Sequence, residues 1–365
     1  MGDLNSSNAV ITEMTNNVST YTVNPSIPDA SSGNLKNNYY DYPESSKYYG
    51  YYKNIPELKK AIDALATWTT GKGYESQFDK VILDHIMGWG EDSFQAVMWN
   101  LQVQKKVFGD AYAEIIRIGD PKTGKILNIK PLYTGDMRVV VNDKGIIDHY
   151  EQRSNAKGGK VKIFETHQIL HLVNDRVANE IHGSSVIEAC KWVIDARNEA
   201  MSDLRKGIHR SSIRVIYVDI DNPTTLNKIA SNWSNALNAR EVIILPGKKG
   251  TDYEIVDYTF PDVGGYIQWI QYLENFFYQA VGIPRVIATS ENYTEAASKV
   301  GYLTFEPIYT REQTELENDL WNQCGIKVTF NRPPSLMDTM KSSEDKNTGQ
   351  TNFQQSEVKP SVNKQ

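Results

Sequence analysis

Cysteine is scarce in this 365-residue chain, and long apolar runs and a net positive charge are lacking. Its two cysteines, Cys190 and Cys324, lie far apart, each inside a helical pattern with apolar neighbours. They read as buried reduced thiols rather than as a disulfide or a nucleophile, which implies synthesis in a reducing, intracellular setting. No apolar run approaches the roughly 18 residues of a membrane span, so no membrane partner is expected. The start, MGDLNSSNAVITEMTNN, has neither the basic opening nor the apolar stretch of a secretory signal, and Ser7 stands one place beyond the myristoylation pattern. The net charge is −6. Proteins that grip nucleic acid through its phosphates are normally basic. DNA is therefore either no partner or one that slides past without being held.

A convergent catalytic constellation is also missing. Gly119-Asp120-Pro121-Lys122-Thr123-Gly124-Lys125 spells G-x-x-x-x-G-K, but Ile126 stands where a phosphate loop needs Ser or Thr for magnesium. Strands are expected on both sides of it, so Asp-Pro-Lys-Thr-Gly reads as a hairpin connection. His167 and His171 are four apart with His182 beyond. That spacing suits a shared metal on a helix, but here it falls on a turn entering a strand, and edge or hydrogen-bonded histidines are the better reading. Asp219, Asp221, Asp252 and Asp257 sit at strand ends and turns, where Asp serves local hydrogen bonding. No Ser-His-Asp order with a nucleophile elbow is present. Neither enzyme activity nor a cofactor is expected. One basic cluster stands out: Arg205, Lys206, His209, Arg210 and Arg214. A helix dipole explains two of these cations; the rest suit phosphate or a neighbouring subunit.

Residues 1–50, rich in Asn, Ser, Thr and Tyr, read as a flexible arm, and 335–365 as a disordered polar tail. Seven tyrosines between Tyr39 and Tyr52 suit either a sticky arm or a cover for the chain's own first helices. Pro56 opens a helix with Leu58, Ile62 and Leu65 on one side. A second helical region runs from about Ser76, breaks near Gly88-Trp89-Gly90, and resumes through Phe94, Val97, Met98 and Leu101 to Val107. The period then changes to two over Ala111–Ile118, Lys125–Tyr133, Met137–Asn142, Ile146–Gln152 and Lys160–Phe164, an antiparallel meander. Helices followed by such a meander indicate the α+β class. Ser185 with Glu188 forms a capping-box pattern before one long helix to about Arg210. A β-rich insert follows, with strands expected at Ile213–Asp219, Glu241–Leu245 and Asp252–Tyr258 and a helix from Asn222-Pro223. A helix from Gly265 to Val281 ends at Gly282-Ile283-Pro284. The last helix spans about Thr294 to Gln323, interrupted and kinked at Pro307, and Ile326–Phe330 closes the body.

The stretch FFYQAVGIPRVIATSENYTEAASKVGYLTFE, a helix ended by G-I-P, a polar loop and a second helix starting Thr-Glu-Ala, resembles the portal proteins of tailed double-stranded DNA viruses. Further pieces in matching order support this over roughly residues 50–330. They are Phe108-Gly109-Asp110-Ala111-Tyr112, Ile129-Lys130-Pro131-Leu132, Phe164 with Gln168-Ile169-Leu170-His171, His182-Gly183-Ser184-Ser185-Val186-Ile187-Glu188-Ala189, and Glu241-Val242-Ile243-Ile244-Leu245-Pro246-Gly247.

The resemblance implies a wing over 51–183, completed by a kinked wing helix and closing strand at 296–334. Stem helices would cover 184–211 and 263–283, a β-rich clip 212–262 and a tunnel loop 284–295. A C-terminal crown is expected to be absent or reduced to the tail. The implied function is a structural subunit of a homododecameric ring at the capsid vertex, the channel for genome packaging and ejection. The implied partners are further copies of the chain, the terminase large subunit, a head–tail adaptor, the major capsid or scaffold protein, and double-stranded DNA passing non-specifically. The implied location is the virion, after synthesis in the host cytoplasm. Tunnel-loop residues would be Arg285, Thr289, Ser290, Glu291, Asn292, Tyr293 and Lys299. Arg205, Lys206, Arg210 and Arg214 would mark the stem–clip junction, and Lys248 and Lys249 a docking turn. Within 288–293 there is no Lys or Arg, so the loop reads as a polar bearing surface rather than a clamp. The alternatives are another virion structural or adaptor protein, usually much smaller, and, less favoured, a hydrolase.

Overall fold

The computed structural model describes residues 38–76, 80–142, 144–153, 161–209, 214–218, 253–257, 263–289 and 294–333, together with Thr224, Asn227, Lys228 and Ser231. The expected arm does not extend to residue 50. Asn38–Tyr40 is a strand (β1) and Ser45–Asn54 a helix (α1). The reason is the tyrosines. Tyr42, Tyr48 and Tyr52 are buried, while Tyr39 and Tyr49 stay exposed, so the tyrosine run covers the chain's own helices with one side only. Pro56–Thr70 (α2) begins at its proline as read. The second helical region is cut down to Lys80–Asp84 (α3), preceded by Tyr74–Glu75 (β2), before Phe94–Phe108 (α4). Ser93 caps α4, accepting from the Ala96 N–H at 3.2 Å.

The meander is present as Asp110–Ile118 (β3), Lys125–Leu132 (β4), Met137–Val141 (β5), Ile147–Gln152 (β6) and Lys162–Glu165 (β7). Ile169–Val173 (β8), which lacks clear alternation because it is buried on both faces, adds a further strand. These strands form two antiparallel sheets, β1-β5-β6-β7 and β4-β3-β8. The G-x-x-x-x-G-K segment is the β3–β4 hairpin turn. Asp120 accepts from the Lys122 N–H at 3.0 Å and from the Thr123 hydroxyl at 2.8 Å.

The long helix expected from Ser185 is two. Val186–Ala189 (α5) stops at Cys190, and Lys191–His209 (α6) follows. Ser185 does cap α5, accepting from Ile187 N–H at 3.1 Å, but its own hydroxyl donates to the Val107 carbonyl. The glutamate limb of the expected box is replaced by a loose pairing of Glu188 with Lys191 at 3.9 Å. A reciprocal box occurs instead at Glu165 and Gln168, in the turn between β7 and β8.

In the insert, Arg214–Val218 (β9) and Tyr253–Asp257 (β10) pair antiparallel. Of the expected helix after Asn222, the described residues Thr224, Asn227, Lys228 and Ser231 are helical. The strand expected at Glu241–Leu245 lies outside the described residues. Val263–Val281 (α7), Arg285–Ala288 (α8) and Glu295–Asp319 (α9) complete the helices. The expected interruption at Pro307 does not occur: α9 is helical through it, and a π-helical turn follows at Leu320–Cys324. The closing strand is shorter than expected, Thr329–Phe330 (β11), paired with β2.

Among the described residues three apolar cores result. One joins α1, α2, the end of α4, α5, α6, α7 and α9 through residues such as Leu58, Ile194, Leu273, Phe277 and Phe305. A second lies under β3, β4 and β8, against α3, α4 and the π turn. The third sits on the four-stranded sheet, around Tyr112, Met137, Val139 and Phe164. Cys190 belongs to the first core and Cys324 to the second, and burial pushes their thiols up to about 11 and about 12. Among the described residues no helix is long and apolar enough to cross a membrane.

Candidate functional site

The G-I-P turn is built to hold two helix ends at a fixed offset. Gly282 has φ +81°, the left-handed conformation that ends a helix at little cost only for glycine. Its N–H and that of Ile283 both return to the Tyr278 carbonyl, at 3.0 and 2.9 Å. Pro284 then stands at the N-cap of α8, its carbonyl accepting from the Ile287 N–H at 2.9 Å, and four residues of the expected loop are helical. Arg285 turns back onto α7, donating from Nη1 to Asn275 Oδ1 at 3.0 Å. Its carbonyl accepts from both the N–H and the hydroxyl of Thr289, at 2.8 and 3.0 Å. On the far side Thr294 caps α9 through the Ala297 N–H. Lys299 is exposed in the early turns of α9. Ser290, Glu291, Asn292 and Tyr293 lie outside the described residues, between these two fixed ends.

Of the basic cluster, Arg205 is exposed on α6, Lys206 lies in α6, and Arg214 opens β9 opposite Asp257. Arg210, Lys248 and Lys249 lie outside the described residues.

Three polar groupings, none of them predicted from sequence, fix the helices that carry this turn. The first is Arg197 on α6, whose Nη2 lies 2.9 Å from Glu57 on α2 and 3.5 Å from Glu274 on α7. Burial, together with the neighbouring Glu57, raises the Glu274 pKa. The second ties α9 to α4. Glu312 is buried with one oxygen 3.0 Å from Lys105 Nζ and the other 2.7 Å from Lys106 Nζ. Lys105 also meets Glu315 at 3.0 Å, and Lys106 donates to Asn174 Oδ1 at 2.7 Å. Burial alone would raise the Glu312 pKa; the two ammoniums overcome it and hold the carboxyl below its usual range.

The third centres on Asp110, which is fully buried at the start of β3. It accepts from Tyr42, from His171 Nε2 at 3.0 Å, from His182 at 3.1 Å and from the Gly183 N–H at 3.2 Å. Burial opposes its charge, but the hydrogen bonds from His171 and His182 dominate and keep its pKa well below normal. Burial also lowers His171. A neutral His171 that donates from Nε2 to Asp110 leaves Nδ1 to accept from Tyr150, 3.1 Å away. The histidines weighed as metal ligands thus serve a carboxylate. His167 stands apart, 3.3 Å from Glu165. Among the described residues no group of three or more His, Cys, Asp or Glu is placed to hold a metal.

Next to Asp110 the backbone of Gly109, at φ +89°, passes so close to Gly183 that a Cβ on either would stand 2.2 Å from the other's carbonyl oxygen. Asn174 closes the knot, its N–H to Gly109 O and its side chain to Ser184 O. So Phe108–Tyr112, Gln168–His171 and His182–Ser185, far apart in sequence, meet at one point where the sheets pass the chain to α5 and α6.

A family model described as phage portal protein matches residues 90–346. Several solved structures share the fold. The neck of a native gene transfer agent particle, computed with C12 symmetry, has a TM-score of 0.62 at 16% identity, over 86% of this chain and 91% of that one. The virion of the native gene transfer agent particle gives 0.60 at 14%, over 85% and 90%. An HK97 family phage portal protein from Corynebacterium diphtheriae gives 0.54 at 12%, over 78% and 94%. No curated protein matches the sequence significantly. At such identities the structural likeness concerns the fold, while the family match spans most of the sequence, from α4 through β11. The chain belongs to the phage portal protein family, as a structural portal subunit.

Proposed function

We propose that copies of this chain assemble into a closed ring of twelve, the number suggested by the C12 symmetry of a neck with this fold. The ring sits at the capsid vertex and passes double-stranded DNA inward during packaging and outward at ejection. In this reading α5, α6 and α7 form the stem and 212–262 the clip. The clip carries Lys248 and Lys249 towards the terminase large subunit or the adaptor, and 290–293 reaches into the channel. Arg205, Lys206, Arg210 and Arg214 mark the stem–clip junction, while the wing faces the capsid or scaffold protein. Energy for movement comes from the separate motor, not from this chain.

The observation that carries the reading is the α7–α8–α9 unit. Its two flanking helix ends are held rigidly, by Gly282, Arg285 and Thr289 on one side and by the Thr294 cap on the other. Five residues, 289–293, bridge them with one acidic and no basic side chain. A short, cation-free loop on stiff supports touches a polyanion without retaining it, since each Lys or Arg contact adds phosphate affinity. Deleting 290–293 and closing the gap with a Gly-Gly link tests this. Intact rings with impaired DNA packaging or retention are expected; rings that fail to form, or packaging at the wild-type rate, count against it.

A further inference from the structure

Helix α7 carries one charged residue in its sequence VGGYIQWIQYLENFFYQAV, and that one, Glu274, meets Arg197. The helix nevertheless exposes Trp269 and Tyr272, at 47% and 53%, on one side, and Ile267, at 45%, across the helix from them. Trp269 stacks on Tyr272 with centroids 5.7 Å apart, and Tyr272 meets Phe276 edge-on at 5.2 Å. Phe276 meets Trp192 of α6 edge-on, also at 5.2 Å. Trp269, Tyr272 and Phe276 thus form a continuous aromatic ladder along α7 that reaches Trp192 of α6. An exposed apolar patch on a soluble protein marks a contact surface.

We infer that the ladder is a seam between subunits and seats in the groove along the outer side of α2 in a second copy of this chain. The inference rests on the ring reading. A ring closes through heterologous contacts, which require two unlike, complementary surfaces on each chain. The groove supplies the second: a cleft of about 470 Å³ lined by Lys59, Lys60, Asp63, Ala64, Thr67 and Trp68. The two surfaces of one chain cannot meet each other. Helices α2 and α7 share a core through Leu58, Ile62 and Leu65 on one and Leu273, Phe277 and Val281 on the other, so their outer sides face apart. Their chemistry is complementary, because the ladder offers ring faces without a cation and the groove offers the exposed Lys60 ammonium beside Ala64 and the open edge of Trp68, while Lys59 is taken up by Asp63 and the Tyr52 ring. DNA is the poorer occupant. The ladder has no cation for phosphate, and the neighbouring exposed residues of α6, Asp195 and Glu199, give a better surface for a duplex to pass.

The test uses the full-length chain, with wild-type rings in mass photometry as the baseline. W269E/Y272E is expected to leave folded monomers at concentrations where wild type is fully assembled, with unchanged circular dichroism. W321E, an equally exposed tryptophan off the ladder, is expected to leave rings intact. Should the double variant misfold, a benzoylphenylalanine at position 272 decides: irradiated rings should yield chain-to-chain adducts mapping to residues 56–68. Rings of W269E/Y272E at the wild-type threshold overturn the seam. Adducts to DNA, or to other parts of the chain, overturn the pairing. A wild type that never forms rings instead removes the reading on which the seam rests.

Discussion

Glu312 is the single acid between two buried ammoniums, which makes its removal a stringent probe of how α9 is anchored. In Glu312→Gln, one oxygen still accepts from a lysine, but the new amide presents N–H donors to the other. That lysine faces a donor in a site it cannot leave, because Lys105 is 2% and Lys106 6% exposed. Breaking one partner of a buried pair costs about 3–5 kcal/mol. Glu315 already shares Lys105 and Asn174 shares Lys106, which softens the loss, so the lower half of that range is expected. This is still a large part of the roughly 5–15 kcal/mol that holds a domain folded. Urea unfolding followed by tryptophan fluorescence, with the slope m checked for constancy, reads the difference. Glu315→Gln is the internal control: its carboxylate is about one-third exposed, and the change should cost under about 1 kcal/mol. The triple change K105M/K106M/E312L removes the three buried charges together, leaving only the one-third-exposed Glu315 and the Asn174 side chain without their lysines, and should cost less than Glu312→Gln. A loss below about 1 kcal/mol for Glu312→Gln would refute the claim that these charges form the α4–α9 anchor.

Three further outcomes follow from the same geometry. Gly109→Ala places a methyl 2.2 Å from Gly183 O at φ +89°, and should destabilise by more than the ~1–3 kcal/mol of backbone strain alone, read from urea unfolding. Asp110→Asn should destabilise by about 3–5 kcal/mol at pH 7. Because the folded Asp110 pKa is depressed, its contribution is complete above the ordinary carboxylate pKa and fades as pH falls through the folded value, so the gap to wild type should narrow only below about pH 4. Asp319 has the opposite sign: burial pushes it up to about 6. Wild-type stability should fall as pH rises from about 4 to about 6, and Asp319→Asn should remove that slope. The gain for Asp319→Asn above pH 7 should reach at most about 3 kcal/mol, measured as midpoint against pH.

The parts of the fold that obey local rules are legible in the sequence. Pro56, Ser93 to Phe108, the period-two strands and the G-I-P turn each carry their signal within a few residues. The tyrosine run is ambiguous for a physical reason: Tyr42, Tyr48 and Tyr52 look the same in sequence as Tyr39 and Tyr49, and only the partner surface decides which are covered. The break at Cys190 is invisible because apolar spacing continues across it, whereas Pro307 stands inside α9, which runs on through it as one helix.

Candidate site residues divide along the same line. The ends of the loop follow from Gly282, Pro284 and Thr294, which act locally. The Asp110 cluster joins residues 42, 110, 171, 182 and 183 through contacts no local rule encodes. One hint is the portal-like pieces that flank it, whose shared purpose becomes plain only where they meet. Lys105-Lys106 in an otherwise uncharged helix is a second, since adjacent lysines on a buried helix require acids from elsewhere.

The central claim, that this chain closes into a ring around a DNA path, is tested most directly by imaging the purified protein in negative stain beside its mass distribution, across salt and protein concentration. The account predicts closed rings of one mass class, twelvefold, with a central hole that admits a duplex. A single monomeric species under all conditions, or assemblies without a through-channel, would contradict it.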